Sequence, residues 1–318
     1  MSDISAWAKA FIASVKGVFQ GSEEPVQKIC VALLCRGHVL IEDVPGVGKT
    51  MLARAVAASI GGKYSQIQCT PDLLPADVLG VSIYNQARGD FEFREGPVMT
   101  NVLLVDEISR ATPRTQSALL EAMAEGQVSV EGRSLPLPDP FLLIATESPV
   151  ESEGTFPLPE VQKDRFFLSL RLGYPDRDAE RAIMLQQRRT ESPLSGVRAV
   201  ATLDGLVETQ RQVLGVHVSP LLRRYILNLV SATRADPRLV LGVSPRGSLA
   251  LYKGAQALAA MRGRTYAVPE DVRDIVVPVL CKRMIMKEGG AAREATEDAI
   301  LAELLASIPV PPLAEAAP

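Results

Sequence analysis

Apolar and polar residues follow one another in blocks along the first 170 residues, in a pattern that predicts strands separated by helices. Short apolar runs predict five strands, at 38–41, 64–68, 102–105, 141–145 and 166–170. Apolar positions at helical spacing predict helices at 4–19, 25–34 and 112–124. Strands that alternate with helices imply βαβ units, so we expect an α/β fold with a mostly parallel sheet covered on both faces.

Two further segments of this first half predict β-hairpins attached to the sheet. Residues 81–93 alternate in polarity on either side of a turn at 87–90, and residues 127–137 give two short strands around a Glu-Gly-Arg turn at 131–133.

The strand pattern stops near residue 174. The remaining apolar periodicity predicts helices at 178–188, 203–213, 220–232, 245–261 and 269–284. We therefore expect a first domain over 1–174, an all-helical domain over 175–308, and a frayed Pro/Ala-rich tail over 309–318.

Composition narrows the class of protein. The net charge of -3 disfavours a protein whose main role is to neutralise nucleic-acid phosphates. The four cysteines form no C-x-x-C pair, which argues against a zinc site or a disulfide framework. No apolar run approaches 18 residues and no secretory pattern begins the chain, so we expect a cytoplasmic protein that is not inserted in a membrane.

The segment between the first predicted strand and the next helix has the composition of a phosphate-binding loop. Its residues are Asp43, Val44, Pro45, Gly46, Val47, Gly48, Lys49, Thr50 and Met51. A helix start offers unpaired N–H groups and the positive end of the dipole, and glycines let the backbone approach an anion. Lys49 would contact the β/γ-phosphates and Thr50 would bind Mg²⁺. The strict pattern has glycine at position 43, where this chain has Asp43, and an ordinary glycine turn is the alternative.

Asp106 and Glu107 follow a buried apolar run, 102–105. Ligands of open α/β sheets bind at the carboxyl ends of the strands, so both carboxylates are placed near the phosphate loop. Asp106 can hold the same Mg²⁺ as Thr50, and Glu107 can orient or deprotonate the attacking water. The alternative is a solvated acidic turn.

Three further positions fit a nucleotide site. Arg246 lies in the first turn of a helix that begins with Ser244 and Pro245, where it opposes the helix dipole; it either senses phosphate or forms a structural salt bridge. Arg165 precedes the last strand and is a candidate arginine finger toward a neighbouring subunit, or a partner of Asp164 or Glu160. The segment Ala-Thr-Glu-Ser at 145–148 ends the fourth strand, where a polar side chain such as that of Ser148 could contact the γ-phosphate or the water.

With these residues assembled, the chain resembles the MoxR family of AAA+ ATPases over about 36–283. The matching segments are IEDVPGVGKT at 41–50, TPDLLPAD at 70–77, ATPRTQSALLEAM at 111–123, GTFPLPE at 154–160 and LGVSPR at 241–246. The family's glycine loop also begins Asp-Val-Pro-Gly, which accounts for the aspartate at 43.

The resemblance implies an AAA+ P-loop core with a parallel five-stranded sheet of order 5-1-4-3-2, two hairpin inserts and a helical lid. It implies a hexameric ring that uses ATP and Mg²⁺, acts as a chaperone in maturation or metal insertion of client proteins, and works with a von Willebrand factor A domain protein. It makes Lys49 and Thr50 the Walker A residues, Asp106 and Glu107 Walker B, Arg165 the finger and Arg246 sensor 2, acting in cis or in trans.

Two positions depart from the family pattern. Sensor 1 usually reads Ala-Thr-Gln-Asn-Pro, whereas this chain has Glu147 and Ser148 in place of Gln and Asn. Serine is shorter than asparagine, and Glu147 is expected to add a negative charge near the phosphates; losing one polar contact to developing charge can cost on the order of 10²–10³ in rate. Ser109 stands where asparagine is usual, and Arg110 beside it is a second candidate for an intersubunit cation.

The sequence leaves three functions open. The first is an ATPase chaperone that moves against a client protein, and the second is a ring scaffold that binds ATP but turns over little. The third, a nucleic-acid translocase, is disfavoured by the net charge and by the lack of a basic, aromatic groove.

Overall fold

A computed structural model of the protein describes residues 2–130, 132–148, 154–186, 192–287 and 296–312. In chain order its first part contains α1 (Ser2–Lys16), α2 (Glu23–Leu34), β1 (Val39–Glu42), α3 (Lys49–Ile60), β2 (Tyr64–Gln68), α4 (Pro75–Leu79), β3 (Gly80–Asn85), β4 (Asp90–Glu95), β5 (Val102–Asp106), α5 (Pro113–Glu125), β6 (Gln127–Val130), β7 (Arg133–Pro136), β8 (Leu142–Glu147), α6 (Glu160–Lys163) and β9 (Leu168–Leu170). The second part contains α7 (Arg177–Gln186), α8 (Leu203–Val213), α9 (Pro220–Ala235), β10 (Leu239–Leu241), α10 (Pro245–Met261), α11 (Pro269–Leu280), β11 (Ile285–Met286) and α12 (Glu297–Ser307).

The five predicted strands form one parallel sheet in the order β2-β5-β8-β1-β9. Numbered along the sheet strands alone, this is the predicted order 5-1-4-3-2, which is confirmed. Alternate residues of each strand enter two separate apolar clusters, one on each face: Leu104 and Ile144 belong to the first, Leu103 and Leu143 to the second. The first cluster includes α1, α2, α3 and much of the helical part, and the second includes α5.

Both predicted hairpins are present, as the antiparallel pairs β3–β4 and β6–β7. The helix predicted at 112–124 is α5. Thr112 caps it by accepting the Thr115 N–H, Pro113 occupies its first turn, and Gly126 ends it in the left-handed region.

The prediction of an all-helical second domain was wrong in one detail, because β10 and β11 form a small antiparallel sheet there. Strands of two and three residues are too short to leave a periodic signal in the sequence. The helix predicted to reach residue 284 ends at Leu280 and continues as a 3₁₀ turn, Cys281–Arg283. Helix α12 was not predicted. Residues 313–318 of the expected tail and 187–188 of the first predicted helix of this part lie outside the described residues.

Polar contacts between buried and partly buried groups join the two parts of the chain. Arg283 Nε donates to Asp164 Oδ1 at 2.9 Å, and the same guanidinium donates to the carbonyls of Phe166 and Phe167. β9 begins at Leu168 and not at the predicted 166, and the carbonyls that Arg283 binds lie directly before it. A second ion pair, Lys282 Nζ to Glu42 Oε2 at 2.7 Å, reaches the last residue of β1.

Candidate functional site

The loop between β1 and α3 has the backbone that a phosphate site needs. Gly46 and Gly48 adopt φ values of 86° and 92°, in the left-handed region that side chains avoid. A Cβ on Gly48 would also approach the Phe19 ring to 3.3 Å. Helix α3 begins at Lys49, directly after the second glycine, so its first N–H groups face the loop.

The side chain of Asp43 holds this loop to the segment that follows β9. Its Oδ2 accepts the N–H groups of Leu172 at 2.6 Å and Gly173 at 2.7 Å, and its Oδ1 accepts the Val44 N–H at 2.8 Å. Glycine at this position would lose all three bonds. The departure from the strict loop pattern is therefore a structural link between the loop and the start of the helical part.

Lys49 lies at the same edge of the sheet as the two candidate carboxylates. Its Nζ donates to the Asp43 carbonyl at 2.7 Å. Partial burial lowers the pKa of Lys49, and the nearby charges of Asp106, Asp43 and Glu107 oppose that lowering. An ammonium, two carboxylates and a glycine loop thus meet at the carboxyl ends of β1 and β5.

Asp106 and Glu107 are fixed by a hydroxyl that the sequence analysis did not single out. Thr146 Oγ1 donates to Asp106 Oδ1 at 2.6 Å and accepts the Glu107 N–H at 2.9 Å. Glu107 itself has φ 55° and ψ 53°, an unfavourable conformation for a residue with a side chain. Arg110 Nη1 pairs with Glu107 Oε2 at 2.9 Å, so in this structure the suggested intersubunit cation contacts its own chain.

Thr50 and Met51 occupy the first turn of α3, both partly buried. Among the described residues, no group of three or more His, Cys, Asp and Glu side chains could hold a metal ion. A hydroxyl and one carboxylate at a phosphate loop are the oxygen ligands Mg²⁺ takes when phosphates supply the rest, so Thr50 and Asp106 fit that ion.

Strand β8 directs the two residues of the altered sensor 1 motif differently. Thr146 faces Asp106, so Glu147, the next residue, faces the opposite side of the sheet. There its Oε1 accepts the Leu158 N–H at 3.5 Å, and burial raises its pKa. The expectation that Glu147 adds a charge on the phosphate side was therefore wrong. Ser148, the next residue, is partly buried at the end of the strand.

Arg165 and Arg246 lie together, at the other edge of the sheet. β9 runs parallel to β1 with Leu168 opposite Val39, so Arg165 is at the amino ends of the strands, away from the loop. Both arginines are exposed and line one cavity, together with Asp164 and Lys253. The structure therefore does not bring them to the phosphate loop of the same chain.

Neither of the alternative ion pairs for these arginines is formed among the residues described. Arg165 Nη1 donates to the Leu120 carbonyl at 3.2 Å, whereas Asp164 is bound by Arg283 and by Ser244, whose Oγ lies 2.9 Å from Oδ2. Arg246 forms no salt bridge with a described residue. Sequence reasoning thus missed the role of Thr146, and it considered Asp164 only as a partner of Arg165. A polar residue inside the buried run of β8 was the available signal for Thr146, and nothing local marked the contacts of Asp164 with Arg283 and Ser244.

The chain is similar to known proteins over most of its length. A family model described as ATPase family associated with various cellular activities (AAA) matches residues 38–168, and an AAA lid domain model matches 231–304. The chain is 45% identical to the uncharacterized protein YeaC of Bacillus subtilis, covering 94% of this chain and 93% of that one. It is 40% identical to the chaperone MoxR1 of Mycobacterium tuberculosis, covering 94% and 81%.

A solved structure is similar over nearly the whole chain. The crystal structure of a proposed ATPase from Cytophaga hutchinsonii superposes with a TM-score of 0.91 at 33% identity, covering 98% of this chain and 96% of that one. In the part of the chain that the structure describes, no helix is long and apolar enough to cross a bilayer.

Proposed function

Because the chain belongs to the MoxR family of AAA+ ATPases, we propose that it hydrolyses Mg-ATP within a ring of subunits and acts as a chaperone on other proteins. One observation carries the proposal. Lys49, Asp106 and Glu107 meet at the carboxyl edge of the sheet, whereas Arg165 and Arg246 lie at the amino edge. A site that needs all five is complete only where two subunits meet.

At the carboxyl edge each residue has a defined task. The N–H groups at the start of α3 and the ammonium of Lys49 bind the phosphates, and Glu107 orients the attacking water and accepts its proton. Thr50 and Asp106 would hold Mg²⁺, which neutralises phosphate charge when bound.

At the amino edge, Arg165 would stabilise the charge of the transition state in the neighbouring subunit's site, as an arginine finger. Arg246 shares its cavity, which supports a role in trans for this residue as well. A hexameric ring would place the two edges of adjacent subunits together. Part of the same proposal is a division into a core over 1–174 and a lid over 175–308, with β9 ending at Leu170 and α7 beginning at Arg177.

The hairpin β3–β4 is a candidate surface for contact with a client protein. Ile83, Tyr84 and Phe91 are exposed on it, and the Tyr84 and Phe91 rings lie 5.3 Å apart. Exposed apolar groups of this kind are typical of protein-binding surfaces. A von Willebrand factor A domain partner, and a role in maturation or metal insertion of client enzymes, are proposed from the family resemblance. The cytoplasmic location stays a prediction from the sequence.

Two substitutions test the assignment. Lys49→Ala should abolish ATP binding, because the phosphates lose their cation in a partly dehydrated pocket. Glu107→Gln should keep binding but slow phosphate release by about 10²–10⁴, the usual contribution of a positioned base. Steady-state phosphate release and nucleotide titration measure both effects. Glu270→Gln, the same change at an exposed position of α11, is the control and should behave as the unmodified protein.

A second candidate function is a ring scaffold that binds ATP and turns over little. It is favoured by one feature, Ser148 in place of the asparagine usual in the family. The same assay separates the two functions: phosphate release that Glu107→Gln leaves unchanged would favour the scaffold, whereas unimpaired ATP binding by Lys49→Ala would contradict both.

A further inference from the structure

The buried hydroxyl of Thr146 joins the two Walker B residues. Thr146 is fully buried in β8. A hydroxyl carries a single proton, and at 2.6 Å from Asp106 Oδ1 that proton is donated to the carboxylate. A lone pair of the same oxygen then accepts the Glu107 N–H at 2.9 Å. One atom therefore bonds the side chain of the first residue and the backbone of the second.

Strand register produces this contact. β5 and β8 pair in parallel with Val105 opposite Ala145, so Asp106 and Thr146 are the next residues along each strand. Their side chains lie on the face of Leu104 and Ile144, which is the face that packs against α3. No other residue of β8 has this position at the end of the strand, because Glu147 faces the other way.

The backbone of Glu107 needs such support. With φ 55° and ψ 53° it is held in a sparsely populated region, and such conformations persist only where surrounding contacts impose them. Its N–H is held by Thr146, and its carbonyl accepts the Arg110 N–H at 2.8 Å. Losing the hydroxyl would release one of these two anchors.

We propose that Thr146 is a positioning residue of the ATPase site. By holding Oδ1 it sets the rotation of the Asp106 carboxylate, and hence the direction in which Oδ2 faces the metal position. By holding the Glu107 N–H it sets the position of the Glu107 carboxylate relative to the attacking water. The inference rests on the proposed function, which makes Asp106 a magnesium ligand and Glu107 the base.

Three substitutions separate the hydroxyl from the methyl group of this side chain. Thr146→Ser keeps the hydroxyl, Thr146→Val keeps the branched shape, and Thr146→Ala loses both. We expect Thr146→Ser to hydrolyse ATP within about threefold of the unmodified protein, and Thr146→Val and Thr146→Ala to lose about 10- to 100-fold in kcat with little change in KM for ATP. That range is typical when the hydrogen-bond partner of a metal ligand is removed.

A binding measurement gives a readout independent of turnover. Calorimetric titration with ADP, with and without Mg²⁺, should show that the gain in affinity from Mg²⁺ is kept in Thr146→Ser and reduced severalfold in Thr146→Val and Thr146→Ala. The affinity without Mg²⁺ should be equal in all folded variants, since Lys49 and the loop are untouched.

The opposite order would overturn the inference. If Thr146→Val is active and Thr146→Ser is impaired, the residue serves packing alone. If Thr146→Val does not fold, Thr146→Ala replaces it in this comparison, and an active Thr146→Ala beside an impaired Thr146→Ser leads to the same conclusion. Asp106→Asn and Glu107→Gln are measured in parallel. If these two variants retain hydrolysis, the proposed site itself is wrong. If they lose hydrolysis while Thr146→Val and Thr146→Ala keep it, the site stands and only the role proposed for Thr146 is wrong.

Discussion

At the scale of single residues, Glu147 is a carboxylic acid in a place that favours its neutral form. The pKa of Glu147 is raised chiefly by burial, and the adjacent carboxylate of Glu42 acts in the same direction. Lys163 and Lys282 oppose the shift without cancelling it. The ionised form of Glu147 is therefore less favourable in the folded chain than in the unfolded one.

We predict that Glu147→Gln stabilises the protein and that the gain depends on pH. Because the folded pKa is above the unfolded one, the folded state binds more protons between the two values, and stability of the unmodified protein falls as pH rises through that window. The substitution removes this loss. We expect roughly 1 kcal/mol at pH 8, shrinking toward pH 4, the scale of one poorly satisfied buried group.

Urea unfolding of both proteins at a series of pH values measures the difference. A gain that is equal at pH 4 and pH 8 would show that protonation of Glu147 is not its cause. Glu160→Gln makes the same change at a partly exposed carboxylate that pairs with Lys163, and it is the control; an equal gain there would show that the burial of Glu147 is not the cause.

The roles of some single residues could be predicted from the sequence, and those of others could not. Lys49, Asp106 and Glu107 could be placed from local patterns, because each directly follows a predicted strand or its glycine loop and such segments lie at the carboxyl ends of parallel strands. Thr146 could not, since its role depends on the register between β5 and β8, which no local pattern contains. The direction of Glu147 was missed for the same reason, although strand alternation fixes it once Thr146 is placed.

At the scale of elements, the start of α10 is tied to the end of the core by one carboxylate. Ser244 caps α10 by accepting the Arg246 N–H at 3.2 Å and donates its own hydroxyl to Asp164. Asp164 also pairs with Arg283 at 2.9 Å, and it directly precedes Arg165. The two exposed arginines of the amino edge are therefore positioned by the same partly buried carboxylate.

We predict that Asp164→Ala costs about 3–5 kcal/mol, because the nearly buried guanidinium of Arg283 would lose its counter-charge. Glu208→Ala is the matched control. It breaks the exposed pair with Arg211 on α8, and exposed pairs contribute about 0–1 kcal/mol. Unfolding in urea gives both free-energy changes. Equal losses in the two variants would show that the Asp164–Arg283 pair stabilises the fold no more than an exposed pair does.

Element boundaries illustrate a second limit of the sequence. The strands, hairpins and capped helices with strong local signals were placed within a few residues, and α8 and α10 have the predicted bounds. The end of α11 could not be placed, since it depends on Arg283 turning inward to bind Asp164 and the carbonyls before β9. That arrangement joins residues more than 100 positions apart.

At the scale of the whole molecule, the proposed ring would divide the residues of each nucleotide site between two subunits, because the two sets of residues lie at opposite edges of the sheet. A nucleotide on the loop of one chain would receive Lys49, Asp106 and Glu107 from that chain. Arg165 and Arg246 share a cavity at the far edge, so a single neighbour would supply both. This gives a test of assembly that needs no structure of the ring.

We predict the outcome of mixing inactive variants in equal amounts. Glu107→Gln lacks the base but keeps the arginines, whereas Arg165→Ala lacks the finger but keeps the base. Each alone should release phosphate slowly. Random mixing should restore about a quarter of the interfaces, since those pair an intact base with an intact finger.

The same mixtures decide how Arg246 acts. If it acts in trans, Arg246→Ala is also rescued by Glu107→Gln, whereas a mixture of Arg165→Ala and Arg246→Ala stays inactive, because one neighbour must supply both cations. If it acts in cis, the results reverse: Glu107→Gln gives no rescue, and the two arginine variants complement each other through an intact Arg246 on one side and an intact Arg165 on the other. Phosphate release by the mixtures, at concentrations where light scattering shows assembled rings, measures all three combinations. We expect the first pattern, since Arg246 lies with Arg165 and away from the loop of its own chain.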